Sequence, residues 1–122
     1  MPRFVIQKHK ATHLHFDFRL EMEGTLKSWA VPKGLPESPG AKRLAVAVED
    51  HPLDYIDFEG IIPEGHYGAG IVEIWDRGEY EVETLKEDKI VFNLTGKRIK
   101  GRYALIHTKE QNWLIFKLKG SH

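Results

Sequence analysis

Residues 13 to 23 alternate strictly between polar and apolar side chains, and this is the clearest pattern in the chain. A two-residue period is typical of a β-strand with one buried face and one open face. The predicted buried face carries Leu14, Phe16, Phe18, Leu20 and Met22, and the predicted open face carries His13, His15, Asp17, Arg19, Glu21 and Glu23. We therefore predict a half-buried strand whose open face concentrates imidazole, carboxylate and guanidinium groups.

Similar short runs, rich in Val, Ile, Trp and Tyr, recur along the chain between Gly, Pro and Asp residues. The candidate strands are Phe4–Gln7, Leu14–Met22, Lys27–Val31, Leu44–Glu49, Asp54–Glu59, Gly70–Trp75, Glu79–Glu83, Lys89–Leu94, Tyr103–His107 and Trp113–Lys119. Many short strands with frequent turn signals predict an all-β protein, namely a compact antiparallel β-barrel or sandwich with little helix. Asp76–Gly78 and Glu110–Asn112 are predicted hairpin connections, and residues 84–88 are predicted to form at most one helical turn.

Two segments are predicted to be long loops. Residues 31–40 hold three of the six prolines, and residues 62–70 hold glycines on both sides of His66 and Tyr67. Glycine permits positive φ and a close approach of the backbone. The second loop is therefore a plausible wall of a site, although the same residues are equally consistent with a tight corner.

Composition narrows the classes of protein that the chain can represent. At 122 residues with 41% apolar side chains, we predict a single domain, residues 1–122, with a real core. No apolar run approaches the roughly 20 residues that cross a bilayer, and the N-terminus lacks the apolar region of a signal peptide, so we expect a cytoplasmic protein. Because the chain has no cysteine, any metal site must use His, Asp and Glu.

The net charge restricts the kinds of nucleic-acid binding that we expect. The 18 basic and 18 acidic residues cancel, which disfavours a protein that coats duplex DNA through counterion release. A local basic patch would still suffice to hold one end of a nucleic acid. The residues available for it are Lys8, Lys10, Arg19, Lys33, Lys42 and Arg43, each of which is also consistent with ordinary surface charge.

The first chemical cluster is His9, His15 and Asp17. His15 and Asp17 lie two apart on one strand face, so their Cβ atoms are predicted to be about 6 to 7 Å apart. Two imidazoles and one carboxylate can bind a divalent transition metal and leave positions open for substrate. The alternative is a simple pair between His15 and Asp17, but Arg19 follows on the same face, and guanidinium suits phosphate.

The second cluster is Arg43, Glu49, Asp50, His51 and Tyr55. Pro52 restricts His51 to an extended conformation and ends the strand there. A histidine at a strand end can act as a general acid or as an electrophile beside a phosphate. A turn histidine without a chemical role is the competing interpretation.

Seven ordered blocks carry a family resemblance. They are Gln7–His9, Leu14–Glu21, Lys27–Gly34, Val48–Tyr55, Phe58–Gly60, Pro63–Gly70 and Trp75–Gly78. Together they closely resemble the 3′-phosphoesterase domain of the bacterial end-joining DNA ligase D, in a stand-alone form. The resemblance covers nearly the whole chain and ends at Trp113–Lys117. It departs at His13, where an arginine is often seen, and in the loop 35–42.

The resemblance implies a compact β-barrel enzyme that depends on manganese, with Co²⁺ or Zn²⁺ as alternatives. It implies removal of terminal ribonucleosides and of phosphates from 3′ ends of DNA or RNA, which leaves a 3′-hydroxyl for repair and ligation. The metal ligands it implies are His9, His15 and Asp17. The implied phosphate-binding and transition-state residues are Arg19, Arg43 and His51, with Lys33, Glu49 and Tyr55 at further functional positions and Glu21 following on the open face. Arg19 and Arg43 are then expected to define one phosphate pocket with the metal.

Two other functions stay open from the residues alone. A small β-barrel can bind nucleic acid without cutting it, but this needs exposed aromatic side chains for base stacking, and Trp29, Trp75 and Trp113 lie in apolar runs typical of a core. A metal-binding barrel can also act on small organic molecules, which Arg19 beside the ligands disfavours. A DNA ligase, a polymerase or an end-binding protein acting in trans is the expected protein partner.

Overall fold

The computed structural model describes residues 1–120, so the last two residues of the predicted domain lie outside the described part. Nine strands and one short 3₁₀-helix make up the fold. The strands are β1 (Arg3–Lys10), β2 (Leu14–Met22), β3 (Thr25–Val31), β4 (Lys42–His51), β5 (Gly60–Ile62), β6 (Gly70–Lys86), β7 (Lys89–Thr95), β8 (Lys100–Lys109) and β9 (Asn112–Lys117), and the 3₁₀-helix is Leu53–Asp57.

The strands form one antiparallel sheet that closes on itself. Neighbours follow the order β1-β2-β3-β4-β9-β8-β7-β6-β5, and β1 also pairs with β6. This second pairing closes eight strands into a barrel and leaves β5 as an extra strand beside β6. With 64% strand and 4% helix, the structure confirms the predicted all-β barrel.

The interior of the barrel is one apolar core. Its largest members include Phe4, Phe18, Phe92 and Tyr103, which are each fully buried. Trp29 belongs to this core, and Trp75 and Trp113 pack against it from partly buried positions. The structure therefore confirms that none of the three tryptophans is a free stacking surface.

A second, smaller core lies on the outside of the barrel and changes the interpretation of β2. Val5 and Leu26 project outwards there and pack against Ile56 of the 3₁₀-helix. The middle of the β2 face that was predicted to be open is buried, since Asp17 is 7% exposed and Arg19 is 4% exposed, whereas its ends at His13 and Glu23 are exposed. The alternation predicted which side chains share a face, but the prediction that this face is open was wrong for Asp17 and Arg19.

Two local predictions were also wrong because tertiary contacts outweigh local turn signals. Residues 54–59 do not form a strand, because Pro52 opens the 3₁₀-helix and its carbonyl accepts the Tyr55 N–H at 3.0 Å. Asp76–Gly78 do not form a hairpin, and β6 runs unbroken past them against β1. Residues 84–88 continue β6 and then turn, whereas the predicted hairpin at Glu110–Asn112 is confirmed.

The two predicted loops are confirmed, at residues 32–41 and 63–69. The loop 63–69 folds back on itself, because His66 donates its N–H to Pro63 and Ala69 donates its N–H to His66. Gly70 has a φ of 138° and a hypothetical Cβ there would lie 2.3 Å from the Lys10 carbonyl oxygen. Glycine therefore allows this loop to return closely along β1. Among residues 1–120, no helix is long and apolar enough to cross a membrane.

Candidate metal and phosphate site

Strand pairing brings the three predicted metal ligands together. In the β1–β2 ladder, His9 is opposite His15 and Gln7 is opposite Asp17. Directly paired residues project on the same side of a sheet. One ligand atom from each of His9, His15 and Asp17 therefore converges on one point, with all three atoms within 4.8 Å of one another.

Backbone carbonyls fix how the two imidazoles face this point. Nε2 of His9 lies 2.8 Å from the carbonyl oxygen of Gly68, and Nδ1 of His15 lies 3.0 Å from the carbonyl oxygen of His13. A carbonyl only accepts, so these two ring nitrogens carry the hydrogens. The opposite nitrogens, Nδ1 of His9 and Nε2 of His15, point at the Asp17 carboxylate from 3.5 and 3.4 Å.

This arrangement fits a cation. In the neutral imidazoles, the two nitrogens that face Asp17 carry lone pairs, which a carboxylate repels unless a proton or a metal ion lies between them. The pKa values reflect this, since hydrogen bonding to Asp17 raises the pKa of His15. Burial works to raise the pKa of Asp17, but His15 and the charge of Arg19 outweigh it and lower that pKa. Two nitrogens and a carboxylate oxygen, each imidazole held by a backbone carbonyl, form a typical donor set for a transition metal.

Arg19 is held rigidly beside these ligands. Its Nε donates to Gln7 Oε1 at 2.6 Å, and its NH1 donates to Ser28 Oγ at 2.8 Å. The guanidinium also lies over the Tyr55 ring, 4.9 Å from its centroid. NH2 is 3.6 Å from an Asp17 oxygen, which is too long for a hydrogen bond. Within the described residues, the NH2 donors are thus the ones left to bind an anion.

His51 reaches this group through a β-bulge. Ser28 is opposite Val48 and Leu26 is opposite His51, so β4 advances by three residues where β3 advances by two. The additional residue keeps His51 on the outer side, where its Nδ1 lies 3.1 Å from Arg19 NH1 and 3.1 Å from the Glu49 carbonyl. Burial lowers the pKa of His51, and the charge of Arg19 lowers it further. Both effects favour the neutral imidazole of His51.

These residues line one cavity of about 360 Å³. Seven of the predicted site residues lie on its wall, together with others from the loop 63–69 and β4. They are His9, His15, Asp17, Arg19, Glu49, His51 and Tyr55. Such a volume falls in the range of small-molecule and substrate sites. One wall is aromatic, because His51 packs on Tyr55 with ring centroids 4.7 Å apart.

Three predicted residues lie elsewhere. Arg43 shares a face of β4 with the core residue Ala45, and its NH1 donates to the carbonyls of Lys33 and Gly34 at the end of the barrel. Glu21 forms an ion pair with Arg3 at 3.1 Å. Arg19 and Arg43 therefore do not share one pocket, because Arg43 lies on the inner face of β4 with Ala45, whereas the β-bulge places His51 on the outer face beside Arg19. The roles of Arg43, Lys33 and Glu21 stay predictions.

Other residues of the site were missed in the sequence. Gln7 is fully buried and joins Arg19 to the 3₁₀-helix, since its Nε2 donates to the carbonyls of Tyr55 and Phe58 at 3.0 and 3.2 Å. Its position two residues before His9, on the same face of β1, is the signal that could have found it. Ser28 could have been found from its position as well, because it is opposite Arg19 in the β2–β3 ladder and therefore lies on the same face.

Comparison with known protein families identifies the family of the chain. A family model described as "DNA Ligase D 3'-phosphoesterase domain" matches residues 7–107. The chain belongs to this phosphoesterase family. The match contains all ten residues that the sequence predicts for the site, and the resemblance carried by the seven blocks is confirmed.

Longer relatives agree with this assignment. The chain is 54% identical over 126 residues to the "Multifunctional non-homologous end joining protein LigD" of Pseudomonas aeruginosa, covering 96% of the chain. It is 53% identical over 120 residues to the corresponding DNA repair protein of Mycobacterium tuberculosis and 48% identical over 128 residues to that of Mycolicibacterium smegmatis, covering 95% and 96% of the chain. The chain spans 15%, 16% and 17% of the length of these three relatives.

Proposed function

We propose that this phosphoesterase-family domain is a metal-dependent hydrolase that heals 3′ ends of DNA or RNA. It removes a terminal ribonucleoside as a phosphodiesterase and a terminal phosphate as a phosphomonoesterase, leaving a 3′-hydroxyl for repair and ligation. The observation that carries the proposal is the convergence of two imidazole lone pairs and a carboxylate oxygen beside a fixed guanidinium. A module that only holds nucleic acid has no need of this convergence.

We assign the metal to His9, His15 and Asp17, with manganese as the first choice and Co²⁺ or Zn²⁺ as alternatives. A bound divalent metal supplies Lewis-acid stabilisation of phosphoryl oxygens and activation of water near neutral pH. The donor set supports a transition metal over Mg²⁺ or Ca²⁺, which prefer oxygen ligands.

The other residues of the cavity then have distinct tasks. Arg19 directs its NH2 donors at the equatorial oxygens of the phosphoryl group and offsets their charge. The lowered pKa of His51 favours its neutral form before substrate binds, and an anionic phosphate beside it would raise that pKa. It then provides a proton or a hydrogen bond to the departing oxygen. Gln7 and Ser28 hold Arg19 in place.

The partner that fits this chemistry is the end of a nucleic-acid strand. The family relationship to end-joining repair proteins supports DNA ends as substrate, and the zero net charge supports recognition of an end over coating of a duplex. A ligase, polymerase or end-binding protein acting in trans would use the healed end. Arg43, Lys33 and Glu49 are candidates for contacts with the strand away from the reacting phosphate.

The first experiment measures release of phosphate from a 3′-phosphorylated oligonucleotide by metal-free protein, with and without added Mn²⁺. The test variant is His15→Ala, and the matched control is His13→Ala. His13 is exposed, and its contact with His15 uses its backbone carbonyl, which the substitution retains. We expect loss of manganese-dependent release in His15→Ala alone. Parent-like rates in that variant would contradict the proposed metal site.

The second experiment tests polarity and sugar. Matched primer–templates carry a 3′-phosphate, a 5′-phosphate, one 3′-ribonucleotide or an all-deoxy end. We expect turnover of the 3′-phosphate and of the ribonucleotide end, because its 2′-hydroxyl provides one more contact. Equal turnover of the 5′-phosphate would refute the polarity. Binding of these ends without turnover in any metal would favour the non-catalytic binding module.

A further inference from the structure

Tyr67 is an aromatic side chain presented to solvent at the edge of the site cavity. It is 99% exposed, and it is the one aromatic residue among the large apolar side chains that are exposed in residues 1–120. Almost none of its ring contacts the protein, so it contributes little to the packing of the barrel. Tyr67 lies in the loop 63–69, which faces β4 across the cavity. Packing does not explain why an aromatic side chain stands at this position.

The loop that carries Tyr67 is tied to the candidate metal ligands. The carbonyl of Gly68, the next residue, accepts the hydrogen bond from His9 Nε2 at 2.8 Å. The backbone of the loop next to Tyr67 is therefore linked to the point where the reacting phosphate would lie. A substitution of Tyr67 itself leaves that carbonyl in place.

Tyr67 also lines a second groove that adjoins the cavity. This groove has a volume of about 640 Å³, and its other lining residues are Ala47, Val48, Glu49 and Gln111. Val48, Glu49 and Tyr67 line both spaces, so the two adjoin each other at these residues. Val48 is 37% exposed and provides an aliphatic surface in the same groove. Glu49 and Gln111 offer polar groups that can meet the edges of a base.

We propose that this groove is a nucleobase subsite, with Tyr67 as a stacking platform for the base of the nucleotide that carries the 3′-phosphate. The inference rests on the proposed function for the position of the phosphate. A flat aromatic ring stacks on any base, because every base has a π-face, so the subsite holds bases with little sequence preference. A nucleotide whose phosphate lies by Arg19 extends its sugar and base along the shared wall into this groove.

The experiment measures binding in a chelating buffer, where no turnover occurs. The probes are two 5′-fluorescent single-stranded oligonucleotides with a 3′-phosphate, one with a normal terminal base and one with an abasic terminal sugar. Fluorescence anisotropy gives their Kd values for the parent, for Tyr67→Ala and for Tyr67→Phe. The control is Ile61→Ala, because Ile61 is 74% exposed on β5 and lines neither groove.

We expect the parent to bind the normal oligonucleotide roughly 5- to 150-fold more tightly than the abasic one, the range that stacking of one base implies. Tyr67→Ala should lose this preference by weakening only the normal probe, whereas Tyr67→Phe and Ile61→Ala should keep it. Equal weakening of both probes in Tyr67→Ala, or absence of a preference in the parent, would overturn the proposal.

Release of phosphate from the same oligonucleotides in Mn²⁺ separates this inference from the proposed function. A parent that hydrolyses both probes but shows no base preference refutes the subsite and leaves the phosphoesterase intact. A parent that shows the base preference but hydrolyses neither probe supports the subsite and refutes the proposed reaction.

Discussion

Replacement of Gln7 by Leu should destabilise the fold far more than the similar volumes of the two side chains suggest. The change removes the acceptor that receives the Arg19 Nε hydrogen at 2.6 Å. A buried charged donor without its partner costs about 2 to 3 kcal/mol. It also removes the donor that reaches the Phe58 carbonyl at 3.2 Å, which adds about 1 kcal/mol. The Tyr55 carbonyl is spared, because it also accepts the Phe58 N–H.

The expected loss for Gln7→Leu is thus about 3 to 4 kcal/mol of unfolding free energy, or roughly 12 to 16 °C in Tm for a domain of this size. Urea denaturation followed by tryptophan fluorescence measures it by linear extrapolation. The matched control is Gln111→Leu on the exposed β8–β9 turn, which should lie within about 0.5 kcal/mol of the parent. A Gln7→Leu loss below about 1 kcal/mol with an unchanged m value would refute the reasoning.

Three further predictions concern other parts of the barrel. Because burial lowers the pKa of His51, the midpoint of its NMR titration should lie below the ordinary value of 6.5, and a midpoint at or above 6.5 contradicts this. The contribution of neutral His51 to the unfolding free energy should be lost as pH falls through the pKa of the folded state. Asp76→Ala should cost about 3 kcal/mol in urea denaturation, because the carboxylate accepts N–H groups from residues 97, 98 and 99, and Asp76→Asn should recover part of it. Gly70→Ala should lower Tm more than Gly65→Ala, because a Cβ at Gly70 would lie 2.3 Å from the Lys10 carbonyl oxygen, whereas a Cβ at Gly65 would meet no atom within 4 Å. Equal effects on Tm would argue against the close approach of the loop 63–69 to β1.

The sequence predicted those features that depend on spacing within one strand. Alternation put His15, Asp17 and Arg19 on one face, and this face is where the structure places them. His9 could be joined to them because its strand pairs with β2 by a short connection. The all-β barrel followed from many short apolar runs in the same local way.

Features that depend on distant contacts were beyond such reasoning. Nothing in residues 13–23 shows that the 3₁₀-helix packs over them and buries Arg19. Local turn residues at Asp76–Gly78 predicted a hairpin, but pairing with β1 continues the strand through them, with a β-bulge or irregularity in the ladder between Ile74 and Asp76. The face on which Arg43 lies depends on the register of β4 against β3, which the sequence does not display.

Closure of the barrel through β1 has a consequence for how the site comes into being. β1 carries Gln7 and His9, yet one of its two neighbours, β6, begins only at Gly70. At ribosomal rates of 5–20 residues per second, the interval between synthesis of β1 and the end of β6 is roughly 4 to 15 s. Until Gly68 has been made, His9 lacks the carbonyl that orients it, and until β6 has been made, β1 lacks its second ladder. For the metal site proposed above, metal affinity on a nascent chain would therefore appear in step with closure of the barrel, and a chain stalled before residue 70 would carry the three proposed ligands without the barrel that orients them.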